Sequence, residues 1–366
     1  MTNTSEDPWK PGLYLLNEFS TSIPFDADAH PVAPRDPAAF FQETEALCFI
    51  CKTKLYRSTT ANAGNYTKED VFPVWLTSHF GIADDIIDYP DGTFKKYKQV
   101  LTPCCLSCNG GWMKAVEDRV APAGTSPDQY AAFTRLSRSD IALWTIKLMY
   151  GLLYARIEPW SFNSHKPKPK EISERVLDHM PLSLMLLDGF RKRVIISGTP
   201  FPSSIILIRI KPGATGRLAY DYQDSIEHPN AIAMRMGTVG LITVFEDFET
   251  TQNYYANNLA PVVGNNALHP DQFMEVAARL FDAASSAYCD VTYSGVDGPR
   301  DVLLRLSPHP KPGIEPTNDA LYRRIAQMMR DPEVENLKPT GTLLLNQKGD
   351  FQDLQWPPSS RDESPP

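Results

Sequence analysis

The sequence contains no run of about eighteen apolar residues, so no segment is long enough to cross a bilayer as a helix. Its first twenty residues, MTNTSEDPWKPGLYLLNEFS, carry acids and prolines where a secretory leader has a basic start and an apolar middle. The expectation is a cytoplasmic protein with no membrane partner. An excess of positive charge is missing as well: 36 Lys and Arg stand against 44 Asp and Glu, a formal charge of −8. That balance excludes coating a nucleic acid non-specifically, because such affinity comes from cations neutralising phosphates. Any nucleic-acid contact has to be local.

What is present begins with 366 residues at 42% apolar composition, long enough for two domains and apolar enough to give at least one a proper core. The cysteines are the most informative part. Five of the six, Cys48, Cys51, Cys104, Cys105 and Cys108, cluster between positions 48 and 108, and only Cys289 is distant. Disulfides are rare in a reducing compartment, whereas two CxxC pairs can each grip a tetrahedral zinc ion. Cys48, Cys51, Cys105 and Cys108 are therefore expected to bind one structural Zn²⁺. Cys104 can replace Cys105 through a CxxxC spacing, although CxxC is the commoner knuckle.

Composition divides the chain into four parts. Residues 1–40 are a proline-rich arm, 41–125 the cysteine module, 126–350 a second domain, and 351–366 a polar tail too rich in proline to fold alone. Within the module a helix is expected to begin near Asn109 and to align Trp112, Met113, Val116 and Val120 as one apolar stripe, with Glu117 and Asp118 on a solvated face. APAGTS, from position 121, and the SFNSHKPKPK stretch from position 161 read as linkers. In the second domain, residues 130–157 read as a helix capped by Ser139 or Asp140 and apolar nearly all round. EISERVLDHM, HPDQFMEVAARLFDAASSAYC and NDALYRRIAQMMRD read as further helices. RVIISG, SSIILIRIK, GRLAYDYQ, AIAMRMG and VGLITVFED read as strands. The fold class is α+β, with a mainly antiparallel sheet covered by helices.

Between the knuckles, Glu69 and Asp70 precede Val71, Phe72 and Pro73, which places an acidic pair at a strand end before a turn. The second knuckle leads into a helix whose first polar residue is Asn109, and a zinc ion would hold that helix start near the acidic pair. Glu69, Asp70 and Asn109 offer hard oxygen ligands suited to Mg²⁺ or Mn²⁺. The bland alternative for Glu69 and Asp70 is a pair of solvated turn carboxylates.

The order CFIC (48–51), TKEDVFPVWL (67–76) and CCLSCNGGWMKAVED (104–118) resembles the zinc-bearing branch of the HNH endonucleases. That resemblance covers about eighty residues. It implies a ββα-metal fold, a divalent ion on the scissile phosphate of DNA, and a histidine as general base. Carried over by position, Glu69 and Asn109 match metal ligands. Asp70 stands where the catalytic histidine is expected, and no residue before Cys105 matches the family's middle Asn. The segments DIALWTIKLMYGLLY and HPDQFMEVAARLF also look like the C-terminal part of bacterial proteins carrying this module, a resemblance that implies no activity.

The missing histidine matters because a histidine near pKa ~6.5 deprotonates water at neutral pH well and a carboxylate near ~4 does so poorly. Asp70 is then a substitute base or a second metal ligand. His79 reads as a surface histidine rather than a replacement base, and Trp112 and Met113 as packing residues rather than base-stacking ones. Lys147 belongs to a modestly basic stretch (Arg135, Arg138, Lys147, Arg156, Lys166, Lys168, Lys170) suited to a phosphate backbone or to a solvated linker. Two functions follow: a metal-dependent DNA endonuclease or nickase acting through Asp70, Glu69 and Asn109, or a catalytically silent zinc module that recognises nucleic acid or a protein partner.

Overall fold

The computed structural model describes residues 10–15, 30–31, 47–59, 63–88, 94–157, 181–197, 200–213, 215–225, 231–286, 289–310, 343–345 and 351–354. The class is α+β, as expected. The helices read at EISERVLDHM and NDALYRRIAQMMRD, the SFNSHKPKPK linker and the tail from position 355 lie outside the described residues.

Two larger sheets are present. One has five strands in the order β1 (Gly12–Leu15), β7 (Arg193–Ser197), β13 (Asp301–Pro310), β12 (Cys289–Asp297) and β2 (His30–Pro31). The other has four in the order β8 (Ser204–Arg209), β11 (Val239–Val244), β10 (Ala231–Met236) and β9 (Tyr220–Ser225), every pairing antiparallel. All five expected strands exist at least in part: GRLA of GRLAYDYQ is a 3-10 turn and its strand begins at Tyr220, and RVIIS belongs to the mixed sheet, where it pairs parallel with both β1 and β13. The proline-rich arm is likewise not wholly irregular, since GLYL supplies β1 and forms an edge strand.

The runs AIAMRM and VGLITV carry no polar alternation because both faces of the four-stranded sheet are covered. One face, with Ile206, Ala231, Ala233 and Ile242, packs on the long helix Pro270–Ser286 through Phe273, Ala277 and Phe281. Gly240 is required there, because a Cβ at that position would meet the Phe273 ring at 2.4 Å. The opposite face, with Ile232, Met234 and Leu241, joins a buried cluster that also contains Phe49, Phe72, Phe80 and Trp144. Phe72 meets the Tyr222 ring edge-on at 5.2 Å, and Phe80 lies 5.5 Å from Tyr220. Buried side chains therefore run without interruption from the cysteine region into the sheet.

In the cysteine region, β3 (Tyr66–Asp70) pairs antiparallel with β6 (Leu101–Cys105). Between them come α1 (Val74–Phe80) and a small hairpin of β4 (Ile86–Asp88) and β5 (Phe94–Lys96). A wide π-type turn over Cys108–Met113 leads into α2 (Lys114–Gly124), which continues through the APAG expected to be a linker and carries Pro122 within it. Met113, Val116 and Val120 are buried on the expected stripe.

Past Thr125, the single helix expected over 130–157 is two: α3 (Gln129–Phe133) and α4 (Arg138–Ile157). The cap of α4 is Ser137, not Ser139 or Asp140. Its Oγ accepts from the Asp140 amide at 3.0 Å and donates to Asp140 Oδ2 at 2.8 Å, and Asp140 in turn binds Arg119 of α2 at 2.8 Å. Buried nearly all round, α4 lies against the cysteine region. Gly151 approaches Val71 so closely that a Cβ would come within 2.9 Å of it, and Tyr154 lies 6.3 Å from Phe49. No described helix is long and apolar enough to cross a membrane.

Candidate metal centre

The first knuckle is a tight turn. The Lys52 amide donates to the Cys48 carbonyl at 2.9 Å, the Cys48 amide to Thr53 at 2.9 Å, and Lys52 adopts a left-handed φ of 60° to reverse the chain. The Phe49 amide donates to the Pro103 carbonyl at 3.1 Å, which brings the knuckle against β6. The second knuckle ends β6, and its Cys108 amide points at Cys105 Sγ from 3.4 Å.

These two turns bring the sulfurs of Cys48, Cys51, Cys105 and Cys108 within 4.8 Å of one another. Cys48, Cys105 and Cys108 are buried and Cys51 is half-buried. Among the described residues this is the only gathering of three or more His, Cys, Asp or Glu side chains close enough to hold a metal ion. The thiols crowd each other electrostatically. Contacts with Cys104, Cys108 and Cys51 push the Cys48 thiol far below its ordinary value, while contacts with Cys104, Cys48 and Cys51, together with burial, push Cys108 up. Such a set is suited to a soft divalent cation that takes the place of the protons, and four sulfurs with no open position fit a structural zinc ion.

The remaining expected site residues sit beside this frame. Glu69 and Asp70 end β3 where the sequence places them, and the chain then turns through Val71, Phe72 and Pro73 into α1, a helix read from sequence only as a turn. Asn109 is brought back to β3 by the second knuckle. Its Nδ2 donates to Thr67 Oγ1 at 3.2 Å and to the Lys68 carbonyl at 2.9 Å, bracing the helix start against the strand.

Glu69 has a partner that sequence reasoning did not assign. The Lys147 ammonium, on α4, lies 2.5 Å from Glu69 Oε1 and 2.7 Å from Glu117 Oε1, and donates to the Asp70 carbonyl at 2.9 Å. Burial pushes the Glu69 carboxyl up, and the Lys147 charge opposes it. Desolvation works against the Lys147 charge, but Glu117 and Glu69 outweigh it and raise its pKa above the ordinary value. The ammonium stays charged. Asp70, half-buried, is also pushed up by burial, with Lys147 opposing.

Two surface readings change accordingly, and those of Asp118 and His79 stand. Lys147 leaves the basic stretch because it is 1% exposed. Glu117 is half-buried on Lys147, whereas Asp118 is solvated and paired with Lys114 at 2.6 Å. His79 is exposed at the end of α1 and stacks edge-on against Phe80 at 4.7 Å. Met113 is core, and Trp112 is half-buried under the Arg191 guanidinium, 4.9 Å from its ring centre. The signal for Lys147 was present in the sequence: a lone lysine in a helix apolar all round has to find an anion inside.

Comparison with known proteins adds no relative: no family model, no curated protein and no solved structure matches this chain.

Proposed function

We propose that this chain is a zinc-framed nucleic-acid-binding module of HNH-like build that does not cleave its ligand. The observation carrying the choice is the Lys147–Glu69 contact. An ammonium 2.5 Å from Glu69 Oε1 occupies the place on that carboxylate that a divalent ion on a scissile phosphate needs. The HNH likeness is supported by the order of β3, β6 and the helix after the second knuckle, with Asn109 tied to β3. In this reading the four thiols hold a structural Zn²⁺ and no catalytic Mg²⁺ or Mn²⁺ is required.

Nucleic acid, rather than a protein partner, is favoured by a local reversal of charge. Residues 47–68, from the first knuckle into the start of β3, contain Lys52, Lys54, Arg57 and Lys68 and no acid before Glu69 and Asp70, in a chain of net charge −8. Lys54, Arg57 and Lys68 are exposed, and so is Tyr56. Asn65 stiffens the loop, accepting from the Tyr56 amide and donating to the Lys54 carbonyl, each at 2.9 Å. Exposed cations with an aromatic neighbour can follow a phosphate backbone and stack a base.

The nuclease reading retains one observation of its own: Asn109 is tied to the Lys68 carbonyl, two residues before Asp70 on β3. The two are separated by binding and cleavage measured together. Labelled DNA should bind without being cut, and Lys54→Ala with Arg57→Ala and Lys68→Ala should weaken binding across all sequences and flatten its salt dependence by about 0.9 in log–log slope per lost phosphate contact. Undiminished binding by the triple variant would overturn the proposal.

A further inference from the structure

Tyr56 and Leu106 are large apolar side chains left in water, 53% and 58% exposed, and the chain ties both to one residue. Asn65 Oδ1 accepts from the Tyr56 amide at 2.9 Å, the Asn65 amide donates to the Tyr56 carbonyl at 3.1 Å, and the Asn65 carbonyl accepts from the Leu106 amide at 3.0 Å. Gly64 permits this closure, because a Cβ there would lie 2.2 Å from the Ser58 amide nitrogen. Leu55 is buried and anchors the loop, so Tyr56 is the side chain left outside. Exposed apolar side chains brought together in this way mark a contact surface.

Cations accompany them. Lys54 and Arg57 flank Tyr56 in the chain, and the Arg57 guanidinium lies over the half-buried Tyr66 ring, 5.7 Å from its centre. Strand alternation puts Tyr66 and the exposed Lys68 on one face of β3, opposite the face of Thr67 and Glu69. A nucleic-acid duplex offers phosphates and base edges but keeps its base faces stacked on one another, so a surface that only follows its phosphates gains nothing from an exposed ring. A single strand offers phosphates and base faces together, and the faces stack on aromatic side chains set among cations. We propose that the ligand of this surface is single-stranded nucleic acid, with a base stacked on Tyr56, Leu106 extending the apolar contact, and Lys54, Arg57 and Lys68 on the flanking phosphates. This inference deepens the nucleic-acid reading above and rests on it.

The test uses the full chain and fluorescence anisotropy with labelled oligothymidylate or oligouridylate of about 16 nucleotides, each against its duplex with the complementary strand. At matched salt one or both single strands should bind more tightly than their duplexes, the two arms distinguishing DNA from RNA. Tyr56→Ala should weaken single-strand binding about five- to a hundredfold, the loss expected for one stacked base, while Tyr56→Phe keeps the ring and should bind like the parent. Because an alanine variant can fail to fold, the parent provides a second measurement: ultraviolet crosslinking with iodouracil-substituted single strands should label Tyr56 or Tyr66. Duplexes bound as tightly as single strands, undiminished single-strand binding by Tyr56→Ala, or crosslinks confined to residues outside this surface would overturn the inference. The reading beneath it fails separately, if the parent binds neither form or if Lys54→Ala with Arg57→Ala and Lys68→Ala binds both as the parent does.

Discussion

Lys147 and Glu69, seventy-eight positions apart, form an ion pair of 2.5 Å in which the lysine is 1% exposed and the glutamate 6%. The contact fastens α4 to the end of β3, and Glu117 on α2 joins it. A buried pair of this kind adds little net stability over apolar residues of the same volume, but removing one partner leaves the other charge stranded. Lys147→Met is therefore expected to cost about 3–5 kcal/mol, and Lys147→Met with Glu69→Met considerably less than the sum of the single changes. Urea unfolding of the zinc-loaded protein measures this. Additive effects would mean that the two side chains do not interact.

Zinc removal should unfold the cysteine region. Two knuckles pinned by one ion take their geometry from it, and structural zinc contributes folding free energy directly. One zinc per chain is expected by metal analysis, and Cys48→Ser or Cys108→Ser should lose both the ion and the cooperative unfolding of the buried cluster that contains Phe49 and Phe72. Wild-type stability and metal content in both variants would disprove the ligand assignment.

A separate pH dependence belongs to Glu246, the second-to-last residue of the run VGLITVFED. Burial raises its pKa to about 7, although the Ser183 amide donates to its Oε1 at 2.6 Å. The folded value lies above the unfolded one, so folding holds the proton. The resulting stabilisation is fully present below pH ~4.5 and is lost as pH rises through about 7, an effect of about 3 kcal/mol. Glu246→Gln keeps an acceptor for Ser183 and cannot ionise. It should flatten the stability profile between those pH values and be the more stable form at pH 7. Equal slopes in parent and variant would show that Glu246 stays ionised.

Some of this was legible in the sequence and some was not. The two CxxC pairs announced the metal site because four thiolates at that spacing have few other uses, and the runs AIAMRM and VGLITV announced strands because β-branched residues between glycine turns have few other fates. Their sheet partners were hidden: RVIIS carries no mark distinguishing a parallel neighbour from an antiparallel one, and GLYL is a strand only because β7 offers it an edge. APAG looked like a linker because proline and glycine break isolated helices, yet α2 carries on there, with Gly124 so close to Trp75 that a Cβ would lie 2.3 Å from its ring. Glu69 and Asp70 were placed correctly on their strand, and the lone lysine of an apolar helix signalled that Lys147 needs a buried anion, but no local pattern foretells that Glu69 is that anion.

The last prediction concerns that carboxylate. If Lys147 fills the cation position on Glu69, restoring a base alone does not restore hydrolysis: Asp70→His supplies an imidazole able to accept a proton from water, but no divalent ion is held to orient the phosphate. Parent, Asp70→His, Asp70→Ala and Glu69→Ala should all leave supercoiled plasmid intact with Mg²⁺ or Mn²⁺, while each still binds zinc. The outcome against this is specific. A positioned general base typically contributes about 10²–10⁴ in rate, so an intact HNH site would show plasmid nicking by Asp70→His at that multiple of the parent, abolished by adding Glu69→Ala. Nicking by the parent that disappears in Glu69→Ala would be equally decisive, because it would require Glu69 to exchange Lys147 for a metal ion during turnover.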